Sequence, residues 1–312
     1  MPVGTFPLAV PTLDLDAESV RRALQAARAP AAAVAAVRPD VRAVLPASRA
    51  ARREFGAAPH AELLQHACLV RFAASAWPVR DFQRCVLTCV AAHWLGAGQP
   101  FGWIENGPGV FRVLESDAVA AAAQPLGQRF HTADAGLRPA FQPEVLSLSC
   151  CLNRARAGIG LVDVDSLLAG LPAGLRETAL QQRFRHAVGT GIEEGADSAP
   201  RSLFWNSPRG AMAALDLART RPARPGDAAA LQVLREVDLL ARQRAAWLQL
   251  QPGEVLFLRN HRVLHALHGS AGPQRMLSAR WRGSLLALGN FAGTGTPGMF
   301  SMARAQRAPG AR

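Results

Sequence analysis

Two residue types are missing from this 312-residue sequence, lysine and tyrosine. All 35 basic residues are therefore arginine, and their excess over 23 acidic residues gives a formal net charge of +12. A GC-rich genome would explain why arginine replaces lysine, but it does not explain the excess of basic over acidic residues. The surplus predicts an anionic partner: a phosphate, a carboxylate or a nucleic acid.

Long hydrophobic runs are also missing. No stretch of about 18 apolar residues is free of charges and prolines, which excludes a membrane-spanning helix of ordinary composition. The segment 1–16 carries Pro2, Pro7 and Pro11 followed by acidic residues, which is unlike a secretory signal. We therefore expect a cytoplasmic protein. With 49% hydrophobic residues, the chain is long enough to bury one large core.

Cysteine is scarce and odd in number, at Cys68, Cys85, Cys89, Cys150 and Cys151. No second pair at zinc-site spacing follows Cys85 and Cys89, and the adjacent Cys150 and Cys151 make a poor structural disulfide. A chain of this size does not need disulfides to be stable. We therefore predict that these residues are buried free thiols.

The sequence divides into a helical N-terminal part, about residues 1–95, and a strand-rich part, about residues 96–290. Apolar residues recur at helical spacing in 17–37, 61–70, 81–95, 166–171 and 227–249. Short runs rich in Val, Leu and Phe predict strands at 109–114, 144–152, 160–164, 254–258 and 275–286. This order predicts a mainly β protein with flanking helices, of the α+β class, built on a sandwich or jelly roll. We expect one catalytic domain over residues 1–303 and a disordered tail at 304–312.

Two of the eight histidines lie in distinctive segments. His131 lies in RFHTADAGLRP at 129–139, just before a predicted strand, and His265 ends GEVLFLRNHRVLH at 253–265. Both imidazoles can be neutral at neutral pH, the form in which a histidine can bind a metal ion. An ordinary half-buried histidine is the alternative for each.

These segments, taken in order, resemble one family. QPFGW at 99–103, HTADA at 131–135, FQPEVLSLSCCL at 141–152 and NHRVLH at 260–265 are similar to segments of the clavaminate synthase and asparagine oxygenase branch of the taurine dioxygenase-like oxygenases. The resemblance is collinear from about residue 96 to about residue 283.

The resemblance implies a double-stranded β-helix, a cupin-like jelly roll, that binds Fe(II) and 2-oxoglutarate and uses O2. In such enzymes two histidines and one carboxylate hold the iron and leave the other positions open. Matched position by position, the histidines are His131 and His265. The arginine that anchors 2-oxoglutarate is matched first by Arg280, 15 residues after His265, and next by Arg275.

The carboxylate of the family pattern is absent, because Ala133 stands where an aspartate or glutamate belongs. Asp134 follows one position later, and on an extended strand its side chain would point away from the face of His131. Iron halogenases that resemble this superfamily carry Ala or Gly at the same position, where chloride binds the iron. The resemblance therefore implies a chloride vacancy at Ala133 and chlorination of an unactivated aliphatic carbon.

Two alternatives remain open. Asp134, reached through a slipped register or a bulge, or a water molecule could complete the iron site of a hydroxylase that acts on an amino acid or related metabolite. An iron-free, arginine-rich binding protein is the other alternative. No helix-turn-helix, zinc finger or interleaved Arg/aromatic stripe supports nucleic acid as its partner.

The arginine surplus favours a small anionic substrate. A nucleoside monophosphate is the first expectation, because nucleotide halogenases exist among the enzymes that this chain resembles, and an amino acid or a carrier-tethered acyl group comes next. The candidate substrate-contacting residues flank the predicted iron ligands or lie where relatives begin to build their substrate side: Trp103, Asn106, Asp134, Arg138 and His261.

Overall fold

The computed structural model describes residues 8–27, 41–55, 60–73, 80–103, 110–116, 129–154, 156–187, 198–268, 272–286, 288 and 298–302. In these ranges, two β-sheets face each other and helices cover both outer faces. None of the described helices is long and apolar enough to cross a membrane.

Six α-helices form within these ranges: α1 (Ala17–Ala26), α2 (Val41–Phe55), α3 (Asp81–Trp94), α4 (Val164–Gly170), α5 (Ala173–Ala179) and α6 (Ala228–Arg244). Helices α1, α4 and α6 each begin after an aspartate whose carboxylate accepts a hydrogen bond from a first-turn N–H: Asp16, Asp163 and Asp227. These N-caps satisfy N–H groups that a helix leaves unpaired, so the starting points of these helices are encoded locally.

The strands, in chain order, are β1 (Thr12–Leu15), β2 (Ala67–Phe72), β3 (Gln99–Trp103), β4 (Phe111–Ser116), β5 (Val145–Asn153), β6 (Ile159–Asp163), β7 (Phe184–His186), β8 (Phe204–Ser207), β9 (Gly210–Ala213), β10 (Thr220–Pro222), β11 (Ala246–Leu248), β12 (Glu254–Arg259), β13 (Val263–Leu267), β14 (Gln274–Arg282) and β15 (Met299–Phe300). The major sheet has the order β1-β2-β12-β5-β14-β3-β15, and β4 also pairs with β14. The minor sheet has the order β11-β6-β13.

Three hydrophobic clusters hold these layers together. One lies between the sheets and contains Leu146 and Leu256 from the major sheet with Ile159 from the minor sheet. The second packs α1, α2 and α3 on the outer face of the major sheet, against residues such as Trp281. The third packs α4 and α6 on the outer face of the minor sheet, against residues such as Leu264. The architecture is mainly β with flanking helices, as predicted.

The predicted helix over 61–70 is wrong. Only Ala61–Leu63 forms a short 3-10 turn, and β2 occupies Ala67–Phe72, between β1 and β12 in the major sheet. Five of its six residues are buried, because neighbouring layers cover both faces of this strand. A strand buried on both faces has no polar alternation, so its short apolar sequence cannot be distinguished from that of a buried helix.

Most other predicted elements are confirmed within a few residues, including the helix at 81–95 and the strands at 144–152, 160–164 and 254–258. The helix predicted at 227–249 ends at Arg244, because the chain turns into β11. Helices α2 and α5 and strands β1, β3, β7, β8, β9, β10, β11, β13 and β15 were not predicted. The tail at 304–312 and the end of the helix predicted at 17–37 lie outside the described residues.

All five cysteines are buried free thiols, as predicted. Burial raises the pKa of Cys89 and the pKa of Cys150 to about 12. These two thiols are therefore protonated at neutral pH, as expected of cysteines that serve in packing.

Candidate metal centre

A cavity of about 460 Å³ lies between the two sheets, and both predicted iron ligands line it. His265 reaches the cavity because side chains alternate along β13: Leu264 and Ala266 pack outward against the helices. His131 lies on an irregular segment that is bridged to β13. The minor sheet and its extension therefore place both imidazoles in the same cavity.

The two histidines form a directly opposed antiparallel pair. The N–H of each donates to the carbonyl oxygen of the other at 3.0 Å, and the ring centroids are 4.3 Å apart. Directly opposed residues of an antiparallel pair project to the same face. The ring of His131 is oriented further, since its Nδ1 lies 2.9 Å from the carbonyl oxygen of Arg129 and donates to it in the corresponding tautomer. This tautomer leaves Nε2 of His131 free to bind a metal.

His265 has the electrostatic properties of a neutral ligand. Its side chain is buried, and burial together with the nearby His131 lowers the pKa of His265 well below its ordinary value of 6.5. Its buried Nδ1 has no hydrogen-bond partner among the described residues. An unpaired ring nitrogen of a neutral imidazole beside a second imidazole fits a borderline metal such as Fe(II).

Ala133 also lines the cavity, and its backbone is held by one buried side chain. The N–H of Ala133 donates to Oδ1 of Asn260 at 2.6 Å, and Nδ2 of Asn260 donates to the carbonyl oxygen of Ala133 at 3.1 Å. The same Nδ2 donates to the carbonyl oxygen of Pro143 at 3.0 Å. Asn260 therefore fixes the position at which the family pattern has a carboxylate.

Asp134 does not stand free beside the histidines. Its Oδ2 accepts hydrogen bonds from Nε of Arg280 at 2.6 Å and from Nε1 of Trp103 at 3.0 Å, and its Oδ1 accepts from Nη2 of Arg280 at 2.9 Å. Asp134 has a positive φ of 56°, so it lies in a turn rather than on the extended segment assumed from the sequence. Its carboxylate is engaged by the guanidinium of Arg280 and by the indole N–H of Trp103.

Arg280 and Arg275, the two candidates for anchoring 2-oxoglutarate, lie on opposite faces of β14. Arg280 and Ser278 line the cavity. Arg275 points to the helical layer, where Nη1 donates to Asp81 at 2.7 Å and Nε donates to Glu115 at 2.6 Å. The structure therefore brings Arg280 to the histidines and does not bring Arg275.

The remaining candidate residues are dispersed. His261 lies in the turn before β13 rather than on the strand, and its ring contacts Trp205 outside the cavity. Arg138 is half-buried and is not part of the cavity wall. Trp103 reaches the site only through its bond to Asp134. Asn106 lies outside the described residues.

Asp216 lies at the site but was not singled out from the sequence. It is bridged to His131 on the side opposite to His265, so its side chain projects to the same face. Its Oδ1 accepts the N–H of Ala218 at 2.9 Å, and its Oδ2 lies 3.9 Å from Arg219. Among the described residues, no group of three or more His, Cys, Asp or Glu side chains could hold a metal ion. The candidate centre thus offers two imidazoles without a third ligand from the described chain.

Three further arginines line the cavity beside Arg280, namely Arg112, Arg129 and Arg219, and all three are exposed. Arg129 lies two residues before His131, in the segment singled out from the sequence, whereas Arg112 and Arg219 come from other parts of the chain and no local pattern marks them. Together with Asp134 and Asp216, they give the described cavity wall more positive than negative charges.

Comparison with known proteins gives a match at the level of structure. No protein-family model matches the sequence, and the search of curated proteins found no significant match. Asparagine oxygenase, in a structure with Fe(II), 2S,3S-3-hydroxyasparagine and succinate, is 17% identical, with a TM-score of 0.70 over 93% of this chain and 99% of that chain.

The non-haem iron oxygenase OrfP matches as well. Its structure with Fe, succinate and (3S)-hydroxy-L-Arg is 15% identical, with a TM-score of 0.70 over 94% of this chain and 100% of that chain. Its structure with Fe and L-Arg has a TM-score of 0.68. The chain therefore has the fold of these non-haem iron oxygenases, which confirms the fold that the collinear segments implied.

Proposed function

We propose that this protein is an Fe(II)- and 2-oxoglutarate-dependent oxygenase that hydroxylates an amino acid or a related small metabolite. The observation that carries the proposal is the opposed pair of His131 and His265 in a cavity that also contains Arg280. The matching structures support it, because they hold iron, succinate and hydroxylated amino acids in the same fold. Succinate is the product expected from 2-oxoglutarate.

Each residue of the site has a role in this proposal. His131 and His265 bind the iron through neutral ring nitrogens, and the carbonyl oxygen of Arg129 fixes the tautomer of His131. Arg280, with Ser278 two residues earlier on the same strand face, binds the distal carboxylate of 2-oxoglutarate. An iron ion and 2-oxoglutarate held by these residues would supply the activation of O2 for oxidation of a C–H bond.

The cavity charge narrows the substrate class. Arg112, Arg129, Arg219 and Arg280 outnumber Asp134 and Asp216 in its wall. The bound molecules of the matching structures are amino acids, and the nucleotide expected from the arginine surplus gains no support from them. We therefore favour an amino acid, or a similar molecule, that carries an additional acidic group.

Chlorination is the second candidate, and one observation favours it. Ala133 lines the cavity near His131, and the neighbouring carboxylate of Asp134 is taken up by Arg280 and Trp103. Two imidazoles would then hold an iron that has room for an anion from solution. Chloride at the position beside Ala133 would direct the same oxidation toward a carbon–chlorine bond.

The test is an oxygen-free titration of the protein with Fe(II) and 2-oxoglutarate, followed by the visible charge-transfer band. We expect a band in the wild type and in His261→Ala, whose ring lies outside the cavity, and no band in His131→Ala or His265→Ala. A wild-type protein without the band would contradict the proposal.

Chloride in the same titration separates the two candidates. A band that shifts with chloride in the wild type but not in Ala133→Asp supports chlorination, because the new carboxylate would occupy the chloride site. A band that ignores chloride in both proteins supports hydroxylation.

A further inference from the structure

The turn at 133–137 is held by polar side chains from three other parts of the chain. Asn260 pairs with both backbone polar groups of Ala133. Arg201 donates to the carbonyl oxygens of Ala135 and Leu137, and Nε2 of Gln142 donates to the carbonyl oxygen of Leu137 at 2.6 Å. Backbone polar groups that are held by several side-chain hydrogen bonds are fixed in one conformation. The residue at the centre of this turn, Asp134, is therefore held in a defined place.

The carboxylate of Asp134 receives three hydrogen bonds at that place. Two come from Arg280 and one from Trp103, and the side chains of Asp134 and Arg280 are only 10% and 12% exposed. A bidentate pair in a shielded site has strong orientation dependence. The φ of 56° at Asp134 is unusual for a residue other than glycine, and the turn maintains it to direct the side chain at Arg280.

The guanidinium of Arg280 has a second edge. A guanidinium presents one pair of N–H groups through Nε and Nη2 and another through Nη1 and Nη2. Asp134 occupies the first pair. Nη1 has no hydrogen-bond partner among the described residues, so the second edge of a cavity-lining arginine remains available.

We propose that Asp134 is a positioning residue for 2-oxoglutarate: it holds Arg280 by one edge so that the other edge binds the distal carboxylate of the cosubstrate. This inference rests on the proposed function of the site. Ordering an arginine side chain costs conformational entropy, and the pair with Asp134 has already met that cost before the cosubstrate binds. The two carboxylates use different edges, so Asp134 does not need to leave when 2-oxoglutarate arrives.

The inference assigns Asp134 a role that differs from both sequence-based alternatives. It is neither an iron ligand nor a direct contact of the substrate. Its negative charge reduces the attraction between the cavity and 2-oxoglutarate, whereas its hydrogen bonds to Arg280 fix the orientation of the guanidinium edge that binds the cosubstrate. The cavity wall retains the additional charges of Arg112, Arg129 and Arg219. We therefore expect the gain in 2-oxoglutarate affinity from orienting Arg280 to exceed the loss from the negative charge of Asp134.

Asp134→Asn tests this role with little disturbance of the backbone, because asparagine tolerates a positive φ nearly as well as aspartate. It retains an acceptor for Trp103 and loses the charged pair with Arg280. The matched control is Asp216→Asn, which removes one negative charge from the same cavity without touching Arg280. Two affinities are measured without oxygen: that of the Fe(II)-loaded protein for 2-oxoglutarate, from the visible band, and that of the apo-protein for Mn(II), from electron paramagnetic resonance.

We expect Asp134→Asn to weaken 2-oxoglutarate binding by about tenfold or more, as for loss of one charge-assisted contact, while Mn(II) affinity stays at the wild-type value. Asp216→Asn should bind 2-oxoglutarate as well as the wild type or better. Equal or tighter binding of 2-oxoglutarate by Asp134→Asn would overturn the inference, and so would a loss of Mn(II) affinity, which would make Asp134 a metal ligand. A wild type that binds Mn(II) but gives no band with Fe(II) and 2-oxoglutarate would overturn the proposed function itself.

Discussion

His186 shows how one buried residue links stability to pH. Its side chain is fully buried at the end of β7, and its Nδ1 lies 2.8 Å from the hydroxyl of Thr220. Burial, reinforced by the positive charge of Arg201, lowers the pKa of His186 from 6.5 to about 3. The folded protein therefore keeps this imidazole neutral at pH values where an exposed imidazole takes up a proton.

The pKa of His186 predicts an acid-sensitive fold. Below pH 6.5 the unfolded chain binds a proton at His186 and the folded chain does not until about pH 3, so the free energy of unfolding falls as the pH falls through this window. Inside this window one such group changes the free energy of unfolding by about 1.4 kcal/mol per pH unit. His186→Asn, which keeps a polar group near Thr220, should flatten this slope in urea unfolding measured across the window. His268→Asn, at an exposed position, controls for the loss of an imidazole, and an unchanged slope in His186→Asn would contradict the prediction.

At the scale of an element, β14 carries two arginines on opposite faces, one paired with the helical layer and one lining the cavity. Arg275 faces the helical layer and joins Asp81 at the start of α3 to Glu115 on β4, whereas Arg280 faces the cavity. The side-chain hydrogen bond to Asp81 is the main cause of a raised pKa of Arg275. The strand thus faces the outer helices on one side and the cavity on the other.

Replacing each arginine by glutamine should affect a different property of the protein, stability for Arg275 and 2-oxoglutarate affinity for Arg280. Arg275→Gln leaves the buried carboxylate of Asp81 with one partner fewer, so we expect unfolding to become easier by roughly 2–4 kcal/mol, with 2-oxoglutarate affinity near the wild-type value. Arg280→Gln should abolish measurable 2-oxoglutarate binding, because an amide cannot supply the charge. Thermal unfolding and the oxygen-free titration measure the two effects. Weak 2-oxoglutarate binding by a folded Arg275→Gln variant would contradict the assignment of stability to Arg275 and of cosubstrate binding to Arg280.

Part of this site was predictable because successive side chains along a strand point to opposite faces of the sheet. This alternation places Arg280 and Arg275 on opposite faces, as the sequence alone indicates. It fails where the chain is not a strand: Asp134 lies in a turn with positive φ, and His261 lies in the turn before β13. Periodicity carries no information about turns, so both orientations required the structure. The same limit explains β2, which is buried on both faces and has no alternation to detect.

At the scale of the whole molecule, the histidines could be found from the sequence and most of the cavity wall could not. His131 and His265 lie in segments with distinctive neighbours, and their collinear order carries the resemblance. Asp216 and Arg219 become neighbours of the histidines only through the pairing of distant segments. The net charge of +12 indicated an anionic partner, but only the fold shows which arginines face the cavity.

The unequal charges of the cavity wall predict which substrates the protein accepts. We expect amino acids with acidic or phosphorylated side chains to stimulate 2-oxoglutarate turnover more than L-asparagine or L-arginine, since Asp134 and Asp216 already have partners within the wall. The KM of the preferred substrate should rise with salt, because exposed charges are screened.

Arg112→Gln should raise that KM by about fivefold with little change in kcat, as for one exposed charge pair. Arg235→Gln, on the exposed face of α6 away from the cavity, should have no effect. Preference for a cationic amino acid would instead mean that Asp134 or Asp216 leaves its arginine and pairs with the substrate. The exchange of ion pairs in the cavity wall, rather than the excess positive charge of the wall, would then determine which substrate binds.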